Sequence, residues 1–282
     1  MTKRLYIKGF ILSLFALLIF CSASPFKGTR LRQSAKLDSW WGSVVKVKYY
    51  NTDFSKFTFK DYENTLLYSK KNGFERGKCQ KLLKRVPKSE RKKKWLAVYD
   101  NRGYLCALLS EDAVIADAGI KSKGADEVFL NMFLNTLHLP SAHYYVDNID
   151  YFTDSYGRIV RVLCKDLTLK SRGRNKGSQR YSVKFKDGKK GDNCGHLIPQ
   201  ALNGPAEQIN YVPQRRELNG GEILELEKKA INAKRRGHKV SYEIKLLYKG
   251  KEKRPYGFEN NVKVYDSKNR VINNYTGIFD NS

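Results

Sequence analysis

The segment that most limits the fold runs from Glu222 to Arg236. Ile223, Leu226, Ala230 and Ala233 recur three and four residues apart, which lines side chains along one face of an α-helix. Gly221 precedes the segment and Gly237 follows it. A glycine just past the last turn is a common helix stop, because it adopts the left-handed backbone without a Cβ penalty. One residue disturbs this face. Glu227 lies four after Ile223 and three before Ala230, within or beside the apolar row, and Asn219 extends the same row if the helix begins early. A carboxylate there either reaches water at the rim or needs a cation or donors to compensate its burial.

Around this helix the chain reads as strands. Tyr144–Phe152 and Arg158–Cys164 flank the turn sequence Asp154-Ser155-Tyr156-Gly157, and Tyr181–Phe185 alternates as a further short strand. Val240–Tyr248 and Asn261–Tyr265 follow the helix. Earlier, Val44–Tyr50 alternates as a strand, Trp95–Leu109 predicts a hairpin turning at 100–103, and Ala125–Leu137 predicts an apolar helix. Strands, a loop-rich stretch, a helix and more strands define an α+β chain with a mixed or antiparallel sheet. Residues 144–282 form one domain in this reading, preceded by a basic region over 24–143 to which no role is assigned.

The chain has 282 residues, 41% of them hydrophobic, with a net charge of +26. That excludes a disordered tail and a multi-spanning membrane protein. It favours polyanionic partners: nucleic acid, heparin-like chains or anionic lipid. Lys70–Trp95 holds twelve Lys/Arg and two Glu, which fits a solvated basic face or a dedicated polyanion patch. At the N-terminus Lys3, Arg4 and Lys8 precede a short apolar run, Phe10–Cys21, and small residues end at Ala23. This is the pattern of a cleaved secretory signal over 1–23, too short for a spanning helix, so no stable membrane insertion is expected after cleavage. The mature chain would carry about +23. Cys79, Cys106, Cys164 and Cys194 then remain; they permit three pairings into two disulfides, or free buried thiols.

The stretch richest in chemistry is Gly191-Asp192-Asn193-Cys194-Gly195-His196-Leu197-Ile198-Pro199, read as a polar glycine-rich loop. Asn203-Gly204-Pro205, Asn210-Tyr211-Val212-Pro213-Gln214 and Leu218-Asn219-Gly220 follow it. Asn, Asp and His concentrated just before a helix suit a hard cation. Mg²⁺ prefers oxygen ligands and keeps several waters, so one amide oxygen with a nearby carboxylate can suffice.

These residues resemble the DNA/RNA non-specific endonucleases with a ββα-metal active site, and within them the bacterial toxin-like branch. The family's Asp-Arg-Gly-His or Asp-Gly-Gly-His signature falls on Asn193-Cys194-Gly195-His196, and its Asn-x-x-Pro-Gln on Asn210 to Gln214. Its metal-binding Asn falls on Asn219 and its helix Glu on Glu227. Tyr151 to Asp154 with Gly157-Arg158 resembles the strand pair leading into the site. Arg172-Gly173-Arg174-Asn175, with Gln179 beyond, resembles an Arg-Asn loop, and Arg254-Pro255 a late Arg-Pro segment. The likeness covers roughly residues 144–280.

The resemblance implies a secreted endonuclease cutting DNA and RNA with little sequence preference. His196 would be the general base for an attacking water, since a neutral imidazole with a pKa of about 6.5 suits that role. Asn219 would hold one Mg²⁺, with Mn²⁺ as a substitute, to stabilise transition-state charge. Glu227 would accept hydrogen bonds from waters around the metal, and Arg174, or alternatively Arg172, would clamp a phosphate. The products would carry 5′-phosphates. Cys194 and Asn193 depart from the signature, and Asp192 could supply the missing acid. Two rival readings accompany this one: a nucleic-acid-binding protein on the same scaffold without activity, and a basic membrane- or polysaccharide-binding protein. A toxin role would add a cognate inhibitor, or immunity protein, as a partner.

Overall fold

The computed structural model describes residues 76–282 apart from Lys94 and residues 100–104, 122–127, 136–137 and 174–175. The expected export segment 1–23 and the expected strand Val44–Tyr50 lie outside the described residues. In chain order the elements begin with helix α1 (Arg76–Leu83) and strands β1 (Leu96–Tyr99), β2 (Leu105–Leu109) and β3 (Ala113–Ala116). A small strand pair follows, β4 (Ile120–Lys121) and β5 (Val128–Phe129), then β6 (His143–Val146), β7 (Ile149–Thr153) and β8 (Ile159–Cys164). Helix α2 (Lys176–Phe185) leads to β9 (Asn193–His196) and β10 (Tyr211–Gln214). Helices α3 (Arg216–Gly220) and α4 (Glu222–Arg235) precede β11 (Lys239–Leu247), β12 (Gly257–Tyr265) and β13 (Val271–Asp280).

Nine of these strands form one sheet in the order β1-β2-β3-β6-β7-β8-β11-β12-β13. Every pairing is antiparallel except β3 with β6, so the sheet is mixed and the α+β architecture holds. The sheet crosses residue 144 without a break: β1–β3 belong to the same sheet as β6–β13. Ile223, Leu226, Ala230 and Ala233 of α4 are buried in the main core with Tyr242, Ile244 and Val262. Each large aliphatic side chain buried there contributes about 2 kcal/mol. Helix α4 ends as its sequence dictates, with Gly237 at φ +82°. Leu82 of α1 and Val86 just after it pack with Leu108 and Ile115 in a separate cluster, so part of the Lys70–Trp95 segment is amphipathic rather than wholly solvated. No helix among the described residues is long and apolar enough to cross a membrane.

The expected strands at β1–β2, β8, β11 and β12 are present; three local expectations are overturned. Tyr144–Phe152 is not one strand but two, β6 and β7, which pair antiparallel about a tight turn at Asp147-Asn148, where Asp147 takes a positive φ of 53°. Tyr181–Phe185 is the last half of helix α2, not a strand. Ser182 is buried and its hydroxyl donates to the Tyr211 carbonyl, while Lys186 just beyond donates to the carbonyls of Gln208 and Tyr211. These contacts require residues four apart on one face, which the alternating pattern concealed. Ala125–Leu137 is likewise not a continuous helix: Val128–Phe129 is a strand and Met132–Leu134 a single 3₁₀ turn. Asn131 causes the interruption. Its amide nitrogen donates to the carbonyls of Cys106 and Asp117 at 2.7 Å each, and its side-chain oxygen accepts from the Phe133 amide at 3.0 Å. A side chain bonded to local backbone in this way competes with a helix.

The same asparagine meets a buried acid. The Glu207 carboxylate accepts the backbone amides of Asn131 and Gly119 at 2.5 and 2.9 Å. Burial nonetheless pushes its pKa up to about 8, aided by Asp147 and opposed by those two amides and Arg172. The folded protein therefore keeps a proton on Glu207 that the unfolded chain releases above its ordinary value of about 4.5. This group's contribution to stability is complete below about pH 4.5 and is lost as pH rises through about 8. We expect Glu207→Gln, which mimics the protonated acid, to remove that loss. Urea melts across pH 5–9 should show the variant gaining on the parent by a few kcal/mol toward alkaline pH.

Candidate active site

The β9–β10 ribbon is a separate two-stranded sheet running straight into α3 and α4, a strand–strand–helix unit. The stretch expected as a loop at 191–199 thus contains a strand, because Asn193 to His196 pair in register with Gln214 to Tyr211. His196 lies opposite Tyr211, whose buried ring meets the imidazole edge-on at 4.9 Å. Gly195 is required by close approach: a Cβ there would overlap the amide of buried Gln214. Asn210 fixes the far end of the ribbon. Its side-chain oxygen accepts from the Ile198 amide at 2.9 Å and the Tyr151 hydroxyl at 3.1 Å, and its nitrogen donates to the carbonyls of Ile198 and Pro205.

A cavity of about 680 Å³ opens where the ribbon, α2, α3 and α4 meet. Asn193, Cys194, His196, Asn219 and Glu227 line it, joined by Gln179, Arg180 and Val183 of α2. The structure therefore brings three of the four expected site residues to one cavity. Asn219 does not continue the α4 row as a regular turn: the backbone breaks at Gly221, at φ −111° and ψ −105°, leaving Asn219 on α3. Arg174 lies outside the described residues. Arg172, the alternative clamp, is not among the cavity residues. Its guanidinium is ion-paired with Asp147 and donates to the carbonyls of Asn203 and Gly119.

Arg180 was missed by sequence reasoning. The strand reading of 181–185 hid the helical spacing by which Gln179, Arg180 and Val183 share the cavity side of α2. Cys194 sits in an extended strand without positive φ, so a side chain in place of glycine is unstrained there. Burial pushes its thiol up to about 12, which keeps it neutral. Among the described residues Cys164 and Cys194 are free thiols.

Asp192 does not supply the missing acid. Arg254 grips its carboxylate through two hydrogen bonds, at 2.7 and 2.9 Å, and the Lys189 amide donates at 2.8 Å. Burial works to raise the Asp192 pKa, but those bonds outweigh it and hold the group below the usual carboxylate range. Arg254 also donates to the Asn281 carbonyl. The buried Asn281 side chain accepts the Arg215 amide at 2.8 Å and donates to the carbonyls of Pro213 and Pro255. The Arg-Pro segment and the end of β13 thus brace the ribbon and the start of α3.

Whether this site suits a divalent cation is tested by Glu227. Burial alone pushes its carboxyl up to about 7, with no cation or donor acting against it. Among the described residues no group of three His, Cys, Asp or Glu side chains could hold a metal. An amide oxygen with a nearby carboxylate, as Asn219 and Glu227 offer at this cavity, suits a hard cation that keeps several of its waters.

Residues 140–266 match the family model described as DNA/RNA non-specific endonuclease. Type VII secretion system protein EssD of Staphylococcus aureus (strain USA300) is 31% identical over 133 residues, 44% of this chain and 21% of the relative. The chain therefore spans about a fifth of the length of that curated relative. A solved structure of Sda1 nuclease with bound zinc ion is 17% identical, covering 48% of this chain and 74% of the nuclease, with a TM-score of 0.36. NucA from Streptococcus agalactiae with no metal bound is 15% identical, covering 58% and 83%, with a TM-score of 0.37.

Removing the arginine of the brace leaves a buried carboxylate without its cation. Arg254→Ala is expected to cost about 3 kcal/mol in urea denaturation, with Arg254→Lys recovering part of the loss.

Proposed function

We propose that this protein is an exported endonuclease that hydrolyses phosphodiester bonds of DNA and RNA in the cavity at the β9–β10 ribbon. One observation carries the reading: His196, Asn219 and Glu227 come from three separate elements to one cavity, within a stretch that matches the endonuclease family. His196, held edge-on to Tyr211, takes a proton from the attacking water. Arg180 is exposed at the cavity and provides paired donors for a phosphate oxygen, in place of Arg172. Asn219 and Glu227 would hold a divalent cation, Mg²⁺ with Mn²⁺ as a substitute, which when bound supplies positive charge to the phosphate. Glu227, partly protonated near neutral pH without a cation, is ionised when one binds. Water as the nucleophile leaves 5′-phosphate ends. Export is supported by the basic-then-apolar pattern of Lys3 to Ala23 and by the secretion-system name of the relative.

Plasmid and RNA should be degraded in Mg²⁺ and left intact in EDTA or by His196→Ala, with at least a hundredfold loss of rate. Persistence of cleavage in either control would sink this mechanism. Asn219→Ala should lose cleavage while retaining DNA affinity in a gel-shift assay; an unchanged rate would mean that the ligand is misassigned. DNA affinity of the parent should fall steeply between 50 and 200 mM salt, as counterion release requires, by about a hundredfold or more.

A further inference from the structure

A second basic surface lies beside the cavity and is built with more order than solvent exposure demands. Its centre is Arg158. The guanidinium is paired with Asp154 at 2.6 Å and donates to the carbonyls of Gly250 and Glu252 at 2.7 and 2.8 Å. It also lies 4.9 and 4.5 Å from the ring centres of Tyr156 and Tyr248. Arg158 thereby pins the turn between β11 and β12 against the turn between β7 and β8. Arg254 ties the end of the same β11–β12 turn to Asp192 at the cavity wall. The pinned segment carries Lys249, Lys251 and Lys253, all exposed.

The ammonium groups of these lysines lie over rings: Lys249 over Tyr256 at 5.5 Å, Lys251 over Tyr156 at 5.9 Å and Lys253 over Phe185 at 5.1 Å. Asp154 is already taken by Arg158; Glu252 stands exposed between Lys251 and Lys253, and Asp187 accepts the Lys253 amide at 3.2 Å, so the turn keeps a smaller, net positive charge. Tyr156 is 43% exposed, a large ring that the core does not use. Fixed cations around an exposed aromatic ring, on a turn tied to the cavity wall through Arg254 and Asp192, suit a polyanion whose repeating unit carries a π-face. A lipid headgroup or a sulfated glycan offers no such face.

We propose that Tyr156 and the lysines of the β11–β12 turn form an accessory site for a single-stranded stretch of the nucleic acid, away from the bond that is cut. This rests on the endonuclease reading of the cavity. A base must leave its stack to lie on Tyr156, so the site favours single strands, while Lys251 and Lys253 meet the flanking phosphates. The site grips substrate without touching the reacting atoms.

The test is binding in EDTA, by fluorescence anisotropy of a labelled single-stranded oligonucleotide of about 12 nucleotides. Tyr156→Ala should weaken binding about tenfold, the loss of one stacked base. The double variant Lys251→Ala, Lys253→Ala should lower the salt slope by about one. Both variants should keep parental rates on a nitrophenyl ester of thymidine phosphate, which is too small to reach the turn, and Tyr156→Phe, which keeps the ring against Arg158, should keep the parental affinity. Unchanged oligonucleotide affinity in Tyr156→Ala would overturn the proposal. So would an equal loss on duplex of the same length, which would leave only backbone attraction. If the parent cuts neither substrate in Mg²⁺, the endonuclease reading fails, and the anisotropy result still decides the accessory site.

Discussion

The arrangement of the cavity depends on one buried ion pair. Arg254 and Asp192 are almost wholly removed from water, with side-chain exposures of 6% and 3%. Their attraction repays desolvation only because the geometry is bidentate and the remaining groups are also bonded. The Lys189 amide meets the carboxylate, and the Asn281 carbonyl meets the guanidinium. Through that pair the end of the nine-stranded sheet reaches across to the first residues of the ribbon. Asn281 completes the brace by holding Pro213 within β10 and Arg215 just before α3. His196 and Asn219 are thus positioned from both sides by groups distant in sequence.

A second buried network joins the early strands to the ribbon. Glu207, in the connection between β9 and β10, accepts amides from Gly119 and Asn131. Arg172 reaches the Gly119 carbonyl and pairs with Asp147. Arg85 adds a pair to Asp117 and a longer one, 3.7 Å, to Asp147. Arg172 and Arg85 meet their acids and the protonated Glu207 accepts two amides, so the network ties residues 85–131 to the stretch that matches the endonuclease family. The preceding basic region is in this part an extension of the same sheet. Its role as a separate domain boundary at 144 has no counterpart in the strand pairing.

Much of this was legible in local pattern. The α4 periodicity, its glycine stop and the anomalous Glu227 were visible because a helix face repeats every three to four residues and needs only its own sequence. The β7–β8 turn was visible for the same reason, through Asp154 and Gly157. Tyr181–Phe185 was misread because five residues cannot distinguish alternation from a helix whose buried side is set by the ribbon. Ala125–Leu137 was misread because Asn131 is satisfied by the carbonyls of Cys106 and Asp117, which no window around it contains. Arg172 was misplaced for a similar reason: a guanidinium is defined by the acid it meets, and Asp147 is 25 residues away from Arg172.

By itself the sequence determined the excess of positive charge and the helix carrying Glu227, which follow from composition and from helical spacing; the set His196, Asn219 and Glu227 came through the resemblance to the endonuclease family. Only the tertiary structure decided that Asp192 is a brace rather than a site acid, that Arg180 reaches the cavity, and that Arg158 pins a basic turn beside it. The physical reason is common to all three. Each depends on which buried charge finds which partner, and folding chooses those partners by distance in space, to which spacing along the chain is blind.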